Sequence, residues 1–368
     1  MHHFFKIILC FSLLATSLPA VAQTSWPSPE VEKLYKNARD LHSQGKLDQA
    51  ITKYLQALNI APEVTVLYRD LGQAYFLTGN NEKAKETLEP VIKSGSADEQ
   101  TYQTLAATYV KLNDEKKGRK TLEEGIVKYP HSGMLYHELG LWYEKKKDRS
   151  EEDMEKALMA WLRGIEADPA YHINYYEAAR AYMASNRPPV WSIIYAETFI
   201  NIEQQTPRSH ETRAMLLAAY KRLFNSVGKL APPAAPAKPK KGAPIDNGFE
   251  QAVYETYIKL APVVSDGVTT ETLTMLRTRF LMDWSLQYAQ KYPVSLFYRQ
   301  DQMIREGYFD IYNQWLTGRA ENQAQYEAWN RYHPEDMPDF EEWLKDHSYR
   351  PVASDAYNMK YVEDIFKK

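Results

Sequence analysis

The side chains best suited to chemistry cluster near the C-terminus. His333, Glu335, Asp336, Asp339, Glu342, Asp346 and His347 crowd imidazoles and carboxylates into fifteen positions, 333–347. Such a set can hold a divalent metal or work as an acid–base pair. Neither use has a matching motif: the chain has no HExxH, no GxSxG and no phosphate-cradling glycine loop. Acidic side chains also belong at helix starts, where they meet the positive end of the helix dipole. We therefore read these residues as capping and solvated, and assign no catalytic residue, metal or cofactor. The only cysteine, Cys10, offers no alternative chemistry. It falls in an N-terminal stretch with the marks of a secretory signal: Lys6, then the apolar run Ile7 to Leu14, then Pro19-Ala20-Val21-Ala22. Cleavage is expected between Ala22 and Gln23. The mature chain would then lack thiols, disulfides and Cys-ligated metal. The run is shorter than the ~20 residues a membrane-spanning helix needs, and a retained anchor is the alternative. Leu9 before Cys10 argues against a lipoprotein. The expected location is periplasmic or secreted.

With no chemistry to position, the question becomes what the elements build. The 368 residues carry 45 basic and 48 acidic side chains, net −3, so the charge does not suggest nucleic-acid binding. Hydrophobic residues make up 44%, enough for a folded chain, and 27 Tyr with 8 Trp fit ring packing between helices.

A pattern recurs every 34 residues, at 31, 65, 99 and 133. Position eight is small each time: Ala38, Gly72, Ala106 and Gly140. Position four holds Leu34, Tyr68, Tyr102 and Tyr136. Gly45, Gly79 or Asn113 stands at the turn. Ala50, Tyr54 and Ala57, then Ala84, Leu88 and Val91, then Gly118, Leu122 and Gly125 follow in the second helix, with Pro62 and Pro130 after it. The fourth unit runs Leu139-Gly140, Tyr143, Ala157, Trp161, Gly164 and Pro169, and its second helix arrives five residues late. A fifth, eroded unit carries Tyr175, Ala178-Ala179 and Tyr182, with Arg187-Pro188-Pro189 opening its second helix. Ser209 reads as the N-cap of a further helix, Glu211 to Phe224.

These residues resemble the tetratricopeptide repeat (TPR) family over about 29–227. The resemblance implies an all-α solenoid of antiparallel helix pairs, in which each unit covers its neighbour's apolar face. It also implies that positions two, five, nine, twelve and thirteen line an inner wall that grips a peptide or protein. Those positions hold Tyr35, Arg39 and His42, then Arg69, Gln73 and Phe76, then Gln100, Gln103 and Lys111. They continue with Met134, His137 and Glu144, and with Ile173, Tyr176 and Arg180. Rings, amides and a few cations suit an extended peptide or a partner helix. Some members clamp a C-terminal carboxylate with Lys at five and Asn at nine of the first unit. Tyr35 and Arg39 stand there, so that clamp is not expected.

The expected domains are a signal at 1–22, the repeats at 23–227, a linker at 228–248, a helical module at 249–350 and a tail at 351–368. The Pro-, Ala- and Lys-rich linker, with Lys238, Lys240 and Lys241, suggests a semi-stiff spacer. Helical segments are expected at Phe249–Leu260 and Thr270–Tyr292. A third follows the stripe Met303, Ile304, Tyr308, Ile311, Tyr312, Trp315 and Leu316, with Gly307 inside it and Gly318 ending it. Ala320–Tyr332 and Asp339–His347 complete the set. This half either closes the array or stands apart. The favoured function is an exported, non-catalytic scaffold for a peptide or protein partner, with a structural envelope subunit or a C-terminal enzyme module as alternatives.

Overall fold

The computed structural model describes residues 26–225 and 248–357. The expected signal, most of the linker and the end of the tail lie outside them. The chain divides into two compact units, Met1–Ser96 and Ala97–Lys368.

The first unit contains α1 (Pro29–Ser43), α2 (Leu47–Ile60), α3 (Thr65–Leu77) and α4 (Asn81–Lys93). Ser28 caps α1 by accepting from the Val31 N–H at 3.3 Å, with Pro29 next to it where its missing N–H costs nothing. Gly45 and Gly79 take φ of +74° and +78° at the turns between paired helices. The core is small and apolar: Ala38, Ala50, Tyr54, Ala57, Leu67, Leu71, Ala74, Ala84 and Leu88 are all 3% exposed or less. Gly72 earns its place sterically. A Cβ there would sit 2.4 Å from Leu88 Cδ2.

The second unit begins with α5 (Glu99–Lys111), α6 (Glu115–Lys128), α7 (Gly133–Glu144), α8 (Glu151–Ala167), α9 (Ile173–Ala184), α10 (Val190–Ile202) and α11 (Pro207–Asn225). Asn113 at the first turn adopts φ 61°, the left-handed role expected of it. The late second helix of the fourth repeat is real. It starts at a reciprocal cap in which Ser150 accepts from the Asp153 N–H at 3.1 Å and the Asp153 carboxylate accepts from the Ser150 N–H at 3.0 Å. One start differs from expectation. Ser209 is not the cap of α11; the helix opens at Pro207, and the Thr206 hydroxyl accepts the Ser209 N–H at 3.1 Å. Proline preset the first turn two residues earlier.

In that same unit, α12 (Gly248–Lys259), α13 (Thr270–Gln287), α14 (Ser295–Glu306), α15 (Phe309–Asn313), α16 (Arg319–Glu321), α17 (Gln323–Tyr332) and α18 (Asp336–Asp346) follow. The apolar stripe through Met303 and Leu316 is not one helix. Gly307, at φ +82°, ends α14 as a left-handed cap. Gly318 does not end the next helix either. It closes a wide π-turn, Gln314–Gly318, that joins α15 to α16.

Twelve of the thirteen residues of α10 are buried. A helix that is apolar all round needs cover on every side, and α9, α11 and α12 all pack on it. Its one acid, Glu197, is 2% exposed. It accepts from Arg277 of α13, from Gln300 Nε2 of α14 at 2.7 Å and from the Tyr312 hydroxyl of α15 at 2.7 Å. Asn201, one turn on, donates to Tyr312 Oη at 2.6 Å and accepts from Arg299 Nε at 3.0 Å. Arg213 of α11 donates to the Trp315 carbonyl in the π-turn at 3.1 Å. The fifth repeat is thus sheathed by the C-terminal helices. Rings fill the rest, as in the Tyr257–Phe280 stack at 4.2 Å and the Phe249–Tyr357 stack at 4.5 Å.

Candidate repeat-wall site

In the first unit, three wall candidates gather around a buried carboxylate. Asp70 on α3 is 2% exposed. Arg69 Nε donates to its Oδ1 at 2.7 Å, and Arg39 Nη1 from α1 approaches Oδ2 at 3.6 Å. Arg39 also donates to Tyr35 Oη at 3.4 Å. Burial first, and then the Asp70 charge, raise the Tyr35 pKa. Trp26 lies on the Tyr35 ring at 4.6 Å, and His42 meets the Tyr54 hydroxyl at 3.4 Å. Burial lowers the His42 pKa. The Arg39 side chain keeps 58% of its surface exposed. Asp70 thus meets two guanidiniums beside aromatic faces. Gln73 and Phe76 are half-buried on α3, with Phe76 packed against the core of this unit.

In the second unit the candidates are more deeply engaged. Gln103 Nε2 on α5 donates to Glu138 Oε1 on α7 at 2.9 Å. His137 on α7 is buried, with Nδ1 3.6 Å from Glu138 and Nε2 3.8 Å from Glu177 on α9. Burial disfavours its charged form, but the two carboxylates outweigh it and raise the pKa. Burial likewise opposes ionisation of Glu138 and Glu177, and the donors around them win, lowering both. Arg180 bridges Glu177 at 2.7 Å and Glu144 at 2.5 Å. The Tyr176 hydroxyl donates to Glu211 on α11 at 3.3 Å, beneath the Arg208 guanidinium, 5.5 Å from the ring centroid. Gln100, Met134 and Ile173 are half-buried, and Lys111 is exposed at the end of α5.

These contacts share one register. The position-five side chain of a repeat faces an acid at position six of the next first helix: Tyr35 with Asp70, Gln103 with Glu138, His137 with Glu177, Tyr176 with Glu211. The separation is 35 residues in the Gln103 and Tyr176 pairs. It is 40 across the fourth repeat, where the second helix starts five residues late. The third repeat has Thr104 at position six, and the boundary between compact units falls just before that repeat. The position-six acids were not among the sequence candidates. The signal was present: Asp70 and Glu138 each stand directly before a Leu–Gly pair, in the same register as the rings.

The C-terminal histidine and acid cluster is not assembled. His333 Nδ1 pairs with Asp336 at 3.0 Å and stacks on Trp329, while His347 Nδ1 is 2.9 Å from the Trp343 carbonyl. Among the described residues, no three His, Asp or Glu side chains are placed to hold a metal ion. No described helix is long and apolar enough to cross a membrane.

Family models match the first repeats of this chain. Residues 38–79 match a family model described as TPR repeat, and residues 67–94 match one described as tetratricopeptide repeat. The heat-shock protein cognate (HSC) co-chaperone sgt12 of Aspergillus fumigatus is 27% identical over 121 residues, 33% of this chain and 36% of that protein. The match therefore spans about a third of that relative's length. The crystal structure of MamA is 20% identical, covering 45% of this chain and 94% of its own, with a TM-score of 0.37. A tetratricopeptide repeat protein of Parabacteroides merdae is 15% identical, covering 74% and 97%, with a TM-score of 0.33. The N-terminal part of the chain carries tetratricopeptide repeats, and the described fold is all-α, built of helix pairs of that type.

Proposed function

We propose that this protein is an exported scaffold that holds a protein or peptide partner on the inner faces of its repeats and performs no turnover. The observation that carries the reading is the shared register, which sets position-five and position-nine side chains on successive first helices. In the first unit that register presents Arg39 to solvent, braced by Asp70 and Tyr35 beside Trp26. A pre-oriented guanidinium next to ring faces suits an extended peptide that carries a carboxylate near an apolar side chain. Export rests on Lys6, the Ile7–Leu14 run and the small residues before Gln23.

The test uses the full chain expressed in its own host. Intact-mass analysis should find the mature protein beginning at Gln23. Capture from an envelope extract should recover a specific partner, and Arg39→Glu, on an exposed side chain, should weaken that partner roughly tenfold, ~1.4 kcal/mol. Tyr35→Ala, Arg69→Ala and Tyr176→Ala combined should abolish capture. Unchanged capture by the triple variant refutes the wall as the binding surface.

A further inference from the structure

The inter-repeat contacts differ in one respect that matters. Gln103 and Tyr176 serve their carboxylates in one protonation state near neutral pH. His137 does not. Its ring stands between two acids from different helices, Glu138 on α7 and Glu177 on α9, and makes no hydrogen bond within standard geometry. A neutral imidazole has one N–H, so it can serve only one of them. The doubly protonated ring serves both.

The surroundings have been drawn tight around this arrangement. Tyr171, from the turn before α9, packs on the imidazole at 5.9 Å between ring centroids. Arg180 on α9 faces the same Glu177 through its other oxygen, Oε2, and Gln103 from α5 donates to the same Glu138 oxygen, Oε1, that His137 approaches. Trp161 of α8 donates to the His137 carbonyl at 3.3 Å, fixing the backbone that carries the ring. Lys145 adds positive charge near Glu138 from the end of α7. Arg180 also pairs with Glu144 at the end of α7, a second bridge between α7 and α9 whose charges stay fixed near neutral pH; of the two bridges, only the one through His137 changes with protonation.

We propose that His137 is a proton-operated tie between the first helices of the fourth and fifth repeats, tightening the wall of the second unit when charged and loosening it when neutral. The tie stands on its own geometry. Its consequence for a partner rests on the wall being the binding surface, as proposed above. Because the folded state favours the charged ring, the stabilisation is fully present below the unfolded-state pKa of about 6.5 and is lost as pH rises through the folded value.

The experiment is a histidine NMR titration of the full chain, with thermal melts from pH 5.5 to 8.5. The resonance missing from His137→Gln identifies the site. It should titrate above about 6.5 in the wild type and move down in Glu177→Gln, which keeps the ring and removes one acid. Glutamine reproduces the Gln103 contact, so His137→Gln should stay folded and lose the part of the melting profile that falls above pH 6.5. An imidazole titrating at or below the free value overturns the tie. So does a His137→Gln melting profile parallel to that of the wild type. If the tie titrates as stated while partner capture is flat across the same pH range, the tie stands and the binding role of this wall falls.

Discussion

Gly140 sets two well-known effects against each other, and the structure decides between them. It lies in the middle of α7, where replacing glycine by alanine gains about 0.8–1 kcal/mol of helix propensity. A Cβ at this position would stand 2.2 Å from Trp161 Nε1 and 2.6 Å from both Cδ1 and Cε2. Comfortable carbon contacts begin near 3.5 Å, so the indole must retreat by more than about 1 Å. Trp161 has nowhere to go: it is fully buried. Its N–H also donates to the His137 carbonyl at 3.3 Å, and retreat stretches that bond, worth about 1 kcal/mol. Overpacking of this kind costs about 1–3 kcal/mol. Set against the propensity gain, Gly140→Ala should be destabilising by about 1–3 kcal/mol. For a cooperative unit of this size that corresponds to a melting temperature lower by roughly 3–10 °C in calorimetry. Adding Trp161→Phe should recover part of the loss, since the smaller ring withdraws the clashing edge. A Gly140→Ala protein that melts at or above the wild-type temperature would refute the close-approach explanation for the small residue at position eight.

Other expectations follow from the buried charges and the caps. Glu197→Ala leaves the guanidinium of Arg277 buried without its partner and should cost about 3–5 kcal/mol by denaturant unfolding; Glu197→Leu with Arg277→Met should recover most of it. The Lys146 hydrogen bond, reinforced by the Ser150 N–H, holds the Asp153 pKa at about 2. The lowered value means that its contribution is complete above the unfolded value of about 3.9 and is lost as pH falls through about 2. Asp153→Asn should therefore flatten the acid limb of the stability profile in that window, as read by circular dichroism.

How far the sequence could be read depended on whether a signal was local. Turn chemistry was legible: Gly45, Gly79 and Asn113 all take the positive φ expected of them. So was the late second helix of the fourth repeat, because Ala157, Trp161 and Gly164 repeat the second-helix pattern five residues downstream. The break at Gly307 was misread. The stripe of Met303, Tyr308, Ile311 and Trp315 keeps helical spacing across it, and a left-handed cap leaves that periodicity intact while ending the backbone ladder. The contacts between repeats were not legible for a different reason. Tyr35, Gln103 and His137 were assigned to a partner by analogy of position. Their acids sit 35 or 40 residues away, and a pairing at that distance shows only when the register is extended to position six. Part of the wall's polarity is therefore spent between repeats. Arg39 is the side chain of the Tyr35–Asp70 group that stays most exposed.

The same reasoning sets the limits of the folding unit. Composition marks residues 228–248 as a boundary, yet α10 cannot be stable on the repeat side of it alone. Its buried surface includes Trp191, Ile193, Ile194, Phe199 and Ile200, and its acid finds all three of its inter-helix partners on α13, α14 and α15. Phe249 of α12 packs on Trp191 at 5.2 Å, and Trp315 stacks under Arg213 of α11 at 4.3 Å. A chain truncated after Asn225 would expose the rings of α10, leave Glu197 without its inter-helix partners and cost Arg213 its bond to the Trp315 carbonyl, though its bonds to Ser209 and Gln204 remain. Exposed apolar surface of that extent drives association. Size-exclusion chromatography of the truncated chain should show aggregates, and its calorimetric transition should be broadened or absent. Supplying residues 248–357 in trans should restore a soluble complex. A monomeric, cooperatively melting fragment ending at Asn225 would show that α10 finds cover within the repeats themselves, and the sheath would lose its role in folding.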